Sequence, residues 1–282
     1  MSAPSFWKTC LALPAESLLP PAADEFEVSL FGPGVGECVV VHVGGGDWVI
    51  VDSCIDRTTS RPVAADYLEG LGFKLATAVK ALVVSHWHDD HVAGISQLMR
   101  STPAAPIYCS AALNGQEFRR AVIAGNYGPD AEHAGVKEFE SVFRILRDRT
   151  KERAVSVSPE YAHDGTIVYR TEARTVEILA LSPSSATMTL AMHNIASLLP
   201  EISALLPEVG QPQRRAVSMQ PNKAAVVLSI QAGGCQALLG SDLEASSAQN
   251  VGWHGVVAST SRHPKKATIF KPKLRRQTPV ST

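Results

Sequence analysis

The run His86-Trp87-His88-Asp89-Asp90-His91 constrains this chain more than any other feature. It follows an apolar stretch, Val79 to Val84, closed by Ser85. Three histidines and two carboxylates in six residues make poor core material, because each polar atom needs a partner wherever it is buried. A strand that ends at Ser85 sends the imidazoles of His86 and His88 to one side, since alternate residues share a face. Val92-Ala93-Gly94-Ile95 then reads as the start of a helix, which carries Asp90 and His91 back toward the same point. Nitrogen and carboxylate donors that converge at a strand end are what zinc and similar divalent ions require.

Those six residues fit an H-x-H-x-D-H signature and resemble that of the metallo-β-lactamase fold hydrolases. Two further segments extend the resemblance. Trp48 to Cys54 looks like the strand ending in Asp52 that precedes the signature, and Ala237 to Glu244 looks like the later strand whose terminal Asp242 bridges the metals. Pro221 to Ile230 is similar to the Asn-led strand of hydrolase domains of the DNA-uptake competence type. The resemblance spans most of residues 26 to 270 and implies an α/β fold, an αββα sandwich incomplete at its C-terminal end.

Carried over residue by residue, it implies that His86 and His88 hold a first metal, that Asp90 and His91 hold a second, and that Asp242 bridges them. Asp52 would accept a hydrogen bond from the far nitrogen of a histidine and orient it. Asp89 fills a variable position and is expected in solvent or at a helix N-cap. The implied cofactor is Zn²⁺, one or two ions, with Mn²⁺ or another divalent metal as substitute. The implied activity is hydrolysis by activated water, with Asp90 and Asp242 as the catalytic carboxylates. A small-molecule or nucleic-acid phosphoester is the first substrate expected; esters, thioesters and lactams use the same machinery.

Composition sets wider bounds. With 26 Lys and Arg against 27 Asp and Glu, no global field favours nucleic acid or an anionic membrane. The five cysteines, Cys10, Cys38, Cys54, Cys109 and Cys235, are odd in number and form no C-x-x-C pair, which suits buried thiols in a reducing compartment. Lys8 and the patch Cys10 to Leu13, cut by Pro14, are too short for a signal peptide. No stretch reaches transmembrane length, so a cytoplasmic protein without a membrane partner is expected.

Along the chain, residues 1–25 read as a loose leader, 26–271 as one domain with a helical insertion near 111–150, and 272–282 as a basic disordered tail. Strands are expected over Phe26–Phe31, Cys38–Val43, Trp48–Val51, Pro106–Cys109, Thr166–Arg170 and Val176–Leu181. Helices are expected over Pro62–Leu71, Leu113–Ala124, Val136–Arg149 and Met188–Leu206. Gly44-Gly45-Gly46 signals a hairpin. Gly32 to Gly36 is a tight turn without the spacing or following helix of a phosphate loop.

The resemblance leaves a gap. A further histidine for each metal is implied, and the competence-type His-His-Gly-Ser motif does not follow the strand-like Ala267 to Lys271. His163 and His254 are the spare candidates; His42, His133, His193 and His263 suit surface or capping roles. Two rival readings therefore stand beside the hydrolase. One is an impaired, truncated remnant that binds metal only. The other is a nucleic-acid-binding module using Lys265, Lys266, Lys271, Lys273, Arg275 and Arg276 on phosphates.

Overall fold

Strand-type runs that are apolar at every position, such as Cys38-Val39-Val40-Val41 and Ala81-Leu82-Val83-Val84, must bury both faces. The computed structural model shows how. It describes residues 19–32, 36–113, 134–173, 175–191, 193, 221–260 and 269–271. A six-stranded sheet runs in chain order through β1 (Glu27–Phe31), β2 (Cys38–His42), β3 (Trp48–Val51), β4 (Val79–Val84), β5 (Ile107–Ser110) and β6 (Glu160–Ala162). A five-stranded sheet comprises β7 (Ile167–Arg170), β8 (Val176–Ala180), β9 (Leu228–Ala232), β10 (Cys235–Leu239) and β11 (Ile269–Lys271), in the order β11-β10-β9-β8-β7.

The period of two splits each strand between two cores. Val40, Ile50, Leu82 and Val84 face a helical layer. That layer is built on α1 (Val63–Gly70), α2 (Leu75–Ala78), α3 (Asp89–Val92), α4 (Ile95–Ser101) and α5 (Ala134–Arg153). Val39, Val41, Val49, Val51 and Val83 face Ile178, Leu228, Ile230 and Leu239 of the second sheet. On the far side of that sheet, Leu179, Leu181 and Leu238 pack with Val256 and Trp253 of α6 (Trp253–Ala258). Helices, sheet, sheet and helix make the αββα sandwich. Fully buried side chains such as Ile50, Leu82 and Leu228 each contribute about 1.5–3 kcal/mol.

The hairpin at Gly44, Gly45 and Gly46 forms as expected, with all three at positive φ and β2 antiparallel to β3. Gly36 has a different reason for being glycine. A Cβ there would lie 2.5 Å from the Cys54 Cβ, and the chain passes close enough for the Glu37 N–H to bond the Asp90 carbonyl at 2.9 Å. The far end of the leader is also anchored, by a 2.7 Å bond from the Gly45 N–H to the Ala23 carbonyl.

Two sequence expectations change. The Asn-led stretch is not one strand: Pro221–Ala224 is a 3-10 turn and β9 starts only at Leu228. Its buried apolar residues between these points bond outside any ladder, the Val226 N–H to the Ser85 carbonyl at 2.9 Å and the Val227 N–H to Ser182 Oγ at 2.9 Å. The three-residue β6 goes unseen in the sequence because it has too few residues to show alternation. Of the segment expected as an insertion, residues 134–150 lie in α5, which buries Phe139, Val142 and Leu146 in the first core. The helix expected over Leu113–Ala124 apart from Leu113 itself, most of Met188–Leu206, residues 1–18 of the leader and the 272–282 tail lie outside the described residues. Among the described residues no helix is long and apolar enough to cross a membrane.

Helix α5 also caps both ends of α4. Glu138 Oε2 accepts the Ser96 N–H of the first turn at 3.0 Å, and the buried Arg149 donates to the Met99 carbonyl of the last turn. Arg149→Leu is expected to lower stability by about 1–3 kcal/mol, since it leaves that carbonyl without its donor. The exposed Arg153→Ala should stay within about 0.5 kcal/mol. Urea unfolding midpoints check this; an unchanged midpoint for Arg149→Leu would contradict the capping role.

Candidate metal centre

Three pieces of chain meet at one end of the sandwich: the residue after β3, the segment from β4 into α3, and the turn after β10. Parallel pairing of β3 and β4 sets Val51 opposite Val83, and the Asp52 N–H continues the ladder to the Val83 carbonyl at 2.7 Å. Asp52 is buried at φ 62°, a left-handed conformation that Asp tolerates better than most residues. Its Oδ1 accepts the Ser85 N–H at 2.7 Å, and its Oδ2 accepts the Ser85 Oγ–H at 2.6 Å. The same Oδ2 lies 2.8 Å from His91 Nδ1. Ser53 ties down the returning chain, with its N–H on the His91 carbonyl at 2.8 Å and its Oγ on the Ala93 carbonyl at 2.7 Å. The sequence thus brings His91 back by anchoring α3 to the end of β3.

The histidines do converge. His86 Nε2 and His88 Nδ1 are 3.2 Å apart, and the His86 ring lies 4.2 Å, centroid to centroid, from that of His91. His91 Nε2 faces Asp242 Oδ1 at 3.8 Å. His86 and His91 are buried, while His88, Asp90 and Asp242 are half-buried. Donor atoms of Asp52, His86 and His91 all fall within 4.8 Å of one another, and no other such trio occurs among the described residues. Asp52 is near enough to be a third donor, but its two oxygens already engage Ser85 and His91. Its position is that of an orienting acceptor.

Asp90 lies in the first turn of α3, where its charge acts on His91. Asp89 is exposed and is the first helical residue, with His88 at the N-cap. Burial opposes protonation of His91, but the Asp52 carboxylate and its hydrogen bond, helped by Glu37 and Asp90, outweigh it and hold the imidazole at about 9. Burial, then Asp52 and Glu37, pushes the Cys54 thiol to about 12, so Cys54 packs in the first core as a neutral group. Cys38 and Cys109 are likewise buried and Cys235 is exposed.

The spare histidines lie elsewhere. His163 is exposed, with Nδ1 2.8 Å from the Asp164 carbonyl, and His254 is exposed on α6. His193 is exposed and His42 is buried, its Nε2 accepting the Gly46 N–H at 3.2 Å. His133 and His263 lie outside the described residues, as does the basic run apart from Lys271. Ser85 and Ser241, which line His86, are residues that sequence reasoning missed.

Residues 31–169, which carry β2 through β6, the histidine run and most of β7, match the family described as the metallo-beta-lactamase superfamily. This stretch is a metallo-beta-lactamase superfamily domain. The fold resembles several solved metallo-beta-lactamases. One, from Cronobacter sakazakii with a HARLDQ motif, is 17% identical at a TM-score of 0.40, over 79% of this chain and 62% of that one. Another is BJP-1, a subclass B3 enzyme of Bradyrhizobium japonicum, 13% identical at a TM-score of 0.39, over 80% of this chain and 64% of that one. The chain therefore spans less than two thirds of the length of either. No curated protein sequence matches it.

Within this superfamily domain, the buried donor trio has the chemistry to hold a divalent metal ion.

Proposed function

We propose that this chain, through its metallo-beta-lactamase superfamily domain, hydrolyses phosphoesters with one or two divalent ions, Zn²⁺ first, in a reducing cytoplasmic compartment. The observation that carries the reading is the pairing of donors. His86 Nε2 and His88 Nδ1 meet at 3.2 Å, His91 Nε2 meets Asp242 Oδ1 at 3.8 Å, and the His86 and His91 rings lie 4.2 Å apart, centroid to centroid. Two nitrogens and a carboxylate suit zinc, and the further carboxylate of Asp90 suits a second ion. Such an ion, when bound, lowers the pKa of a water toward neutrality and polarises the oxygen of the bond under attack.

The chain's own residues do the rest. Asp52 keeps the far nitrogen of His91 occupied, so that Nε2 is the atom presented to the centre. Asp242 is 20% exposed, so its carboxylate can both hold an ion and pass a proton to solvent. Asn222 steadies the same turn, with Nδ2 donating to Glu244 Oε1 at 3.1 Å. The phosphoester preference rests on the competence-type resemblance of the sequence. The buried thiols agree with a reducing compartment.

Phosphodiester, ester and lactam reporters, assayed with added Zn²⁺ or Mn²⁺, test this. Turnover of the phosphodiester is expected, lost in Asp242→Asn. That variant should bind zinc more weakly, on the order of tenfold or more, while its metal-free stability changes little. Turnover of the lactam or ester alone would overturn the substrate. Stoichiometric metal without turnover of any reporter would favour the binding-only remnant.

A further inference from the structure

Ser85 and Ser241 stand 156 residues apart in the chain, yet their hydroxyls meet at 2.6 Å beside His86. Both serines and His86 are buried, so water is kept from competing for their hydrogens. Hydrogens can therefore be counted. The Asp52 carboxylate only accepts, so the Ser85 hydroxyl gives its hydrogen to Oδ2. The Ser241 hydroxyl gives its hydrogen to Ser85 Oγ. Neither has a hydrogen left for His86 Nδ1, which lies 2.9 Å from Ser85 Oγ and 3.4 Å from Ser241 Oγ. Nδ1 must be the donor.

We infer that Ser85 is a positioning residue that fixes His86 as the Nδ1–H tautomer, with Ser241 completing the lock, so that the Nε2 lone pair points into the candidate metal centre. This rests on His86 being a ligand, as proposed above. The ring nitrogen that carries the proton is set by the hydrogen bond the other atoms demand, and here that demand originates at Asp52. One carboxylate thus orients both buried histidines, His91 directly and His86 through a serine hydroxyl. The backbone agrees with a built device: Asp52 at φ 62° and Ser241 at φ 46° are both held in the left-handed region without being glycine.

Removing the Ser85 hydroxyl reverses the lock. The Ser241 hydroxyl then loses its acceptor and can donate to His86 Nδ1, which moves the imidazole proton to Nε2 and blocks the donor atom.

The test is long-range ¹H–¹⁵N correlation on metal-free protein, with the His86 signals assigned by their loss in His86→Gln, and zinc affinity by chelator competition. The parent should show the Nδ1–H form. Ser85→Ala should show Nε2–H and bind zinc about 10–100-fold more weakly, and Ser85→Thr should restore both. An Nε2–H form in the metal-free parent overturns the inference whether or not Ser85→Ala folds. So does a Ser85→Ala protein that keeps Nδ1–H and the parent's affinity. Failure of the hydrolase reading would show instead as absent zinc binding or turnover in the parent, with the metal-free tautomer still Nδ1–H.

Discussion

Replacing His86 and His88 together with Ala is expected to abolish stoichiometric zinc binding while leaving the fold intact. Both residues follow the last residue of β4, outside the ladder that pairs it with β3 and β5. Their removal therefore costs the sandwich no strand-pairing bond. It does remove the two nitrogens that meet at 3.2 Å. His91 and the nearby carboxylates then remain, too few firm donors to compete with water for a cation. The loss should exceed the roughly 100-fold upper end found for residues that merely orient a ligand. Elemental analysis together with circular dichroism checks it. Parental zinc content in a folded double variant would place the metal elsewhere.

Asp52→Ala is expected to be the most destabilising single change at the site, by about 3–5 kcal/mol. The carboxylate is buried and accepts from the Ser85 N–H and hydroxyl while pairing with His91. Without it, a buried imidazolium and two donors lose their partner at once. Asp52→Asn should fall between, because Asn also tolerates φ 62° and keeps an acceptor oxygen but loses the charge that holds the His91 proton. Denaturant midpoints on metal-free protein rank the three. An Asp52→Ala protein within about 0.5 kcal/mol of the parent would show that the network is ornamental to folding.

Much of this was legible in the sequence, and the reasons are local. All-apolar runs such as Val79 to Val84 announce strands buried on both faces, and the signature at their end announces converging donors. Asp52 could be placed because it ends its own strand. The serines could not. A serine hydroxyl carries no pattern of its own, and the role of Ser85 exists only once Ser241 is folded against it from 156 residues away. The stretch 225–227 misled for a related reason: its residues are as buried as a strand's, but their N–H groups go to Ser85, Ser182 and the 3-10 turn before them. Helix α5 showed its periodicity, whereas its place in the first core depends on pairing with α4 through Glu138 and Arg149.

Metal content per chain is the measurement on which the claim that the donors around His86 form a metal centre stands or falls. The full chain, purified and freed of loosely held ions, is expected to retain at least one divalent ion per molecule by elemental analysis, with zinc predominant. A second equivalent would place Asp90 in the ligand set with His91 and Asp242. A correctly folded chain that retains no divalent ion, and takes up none when zinc is supplied, would contradict the claim.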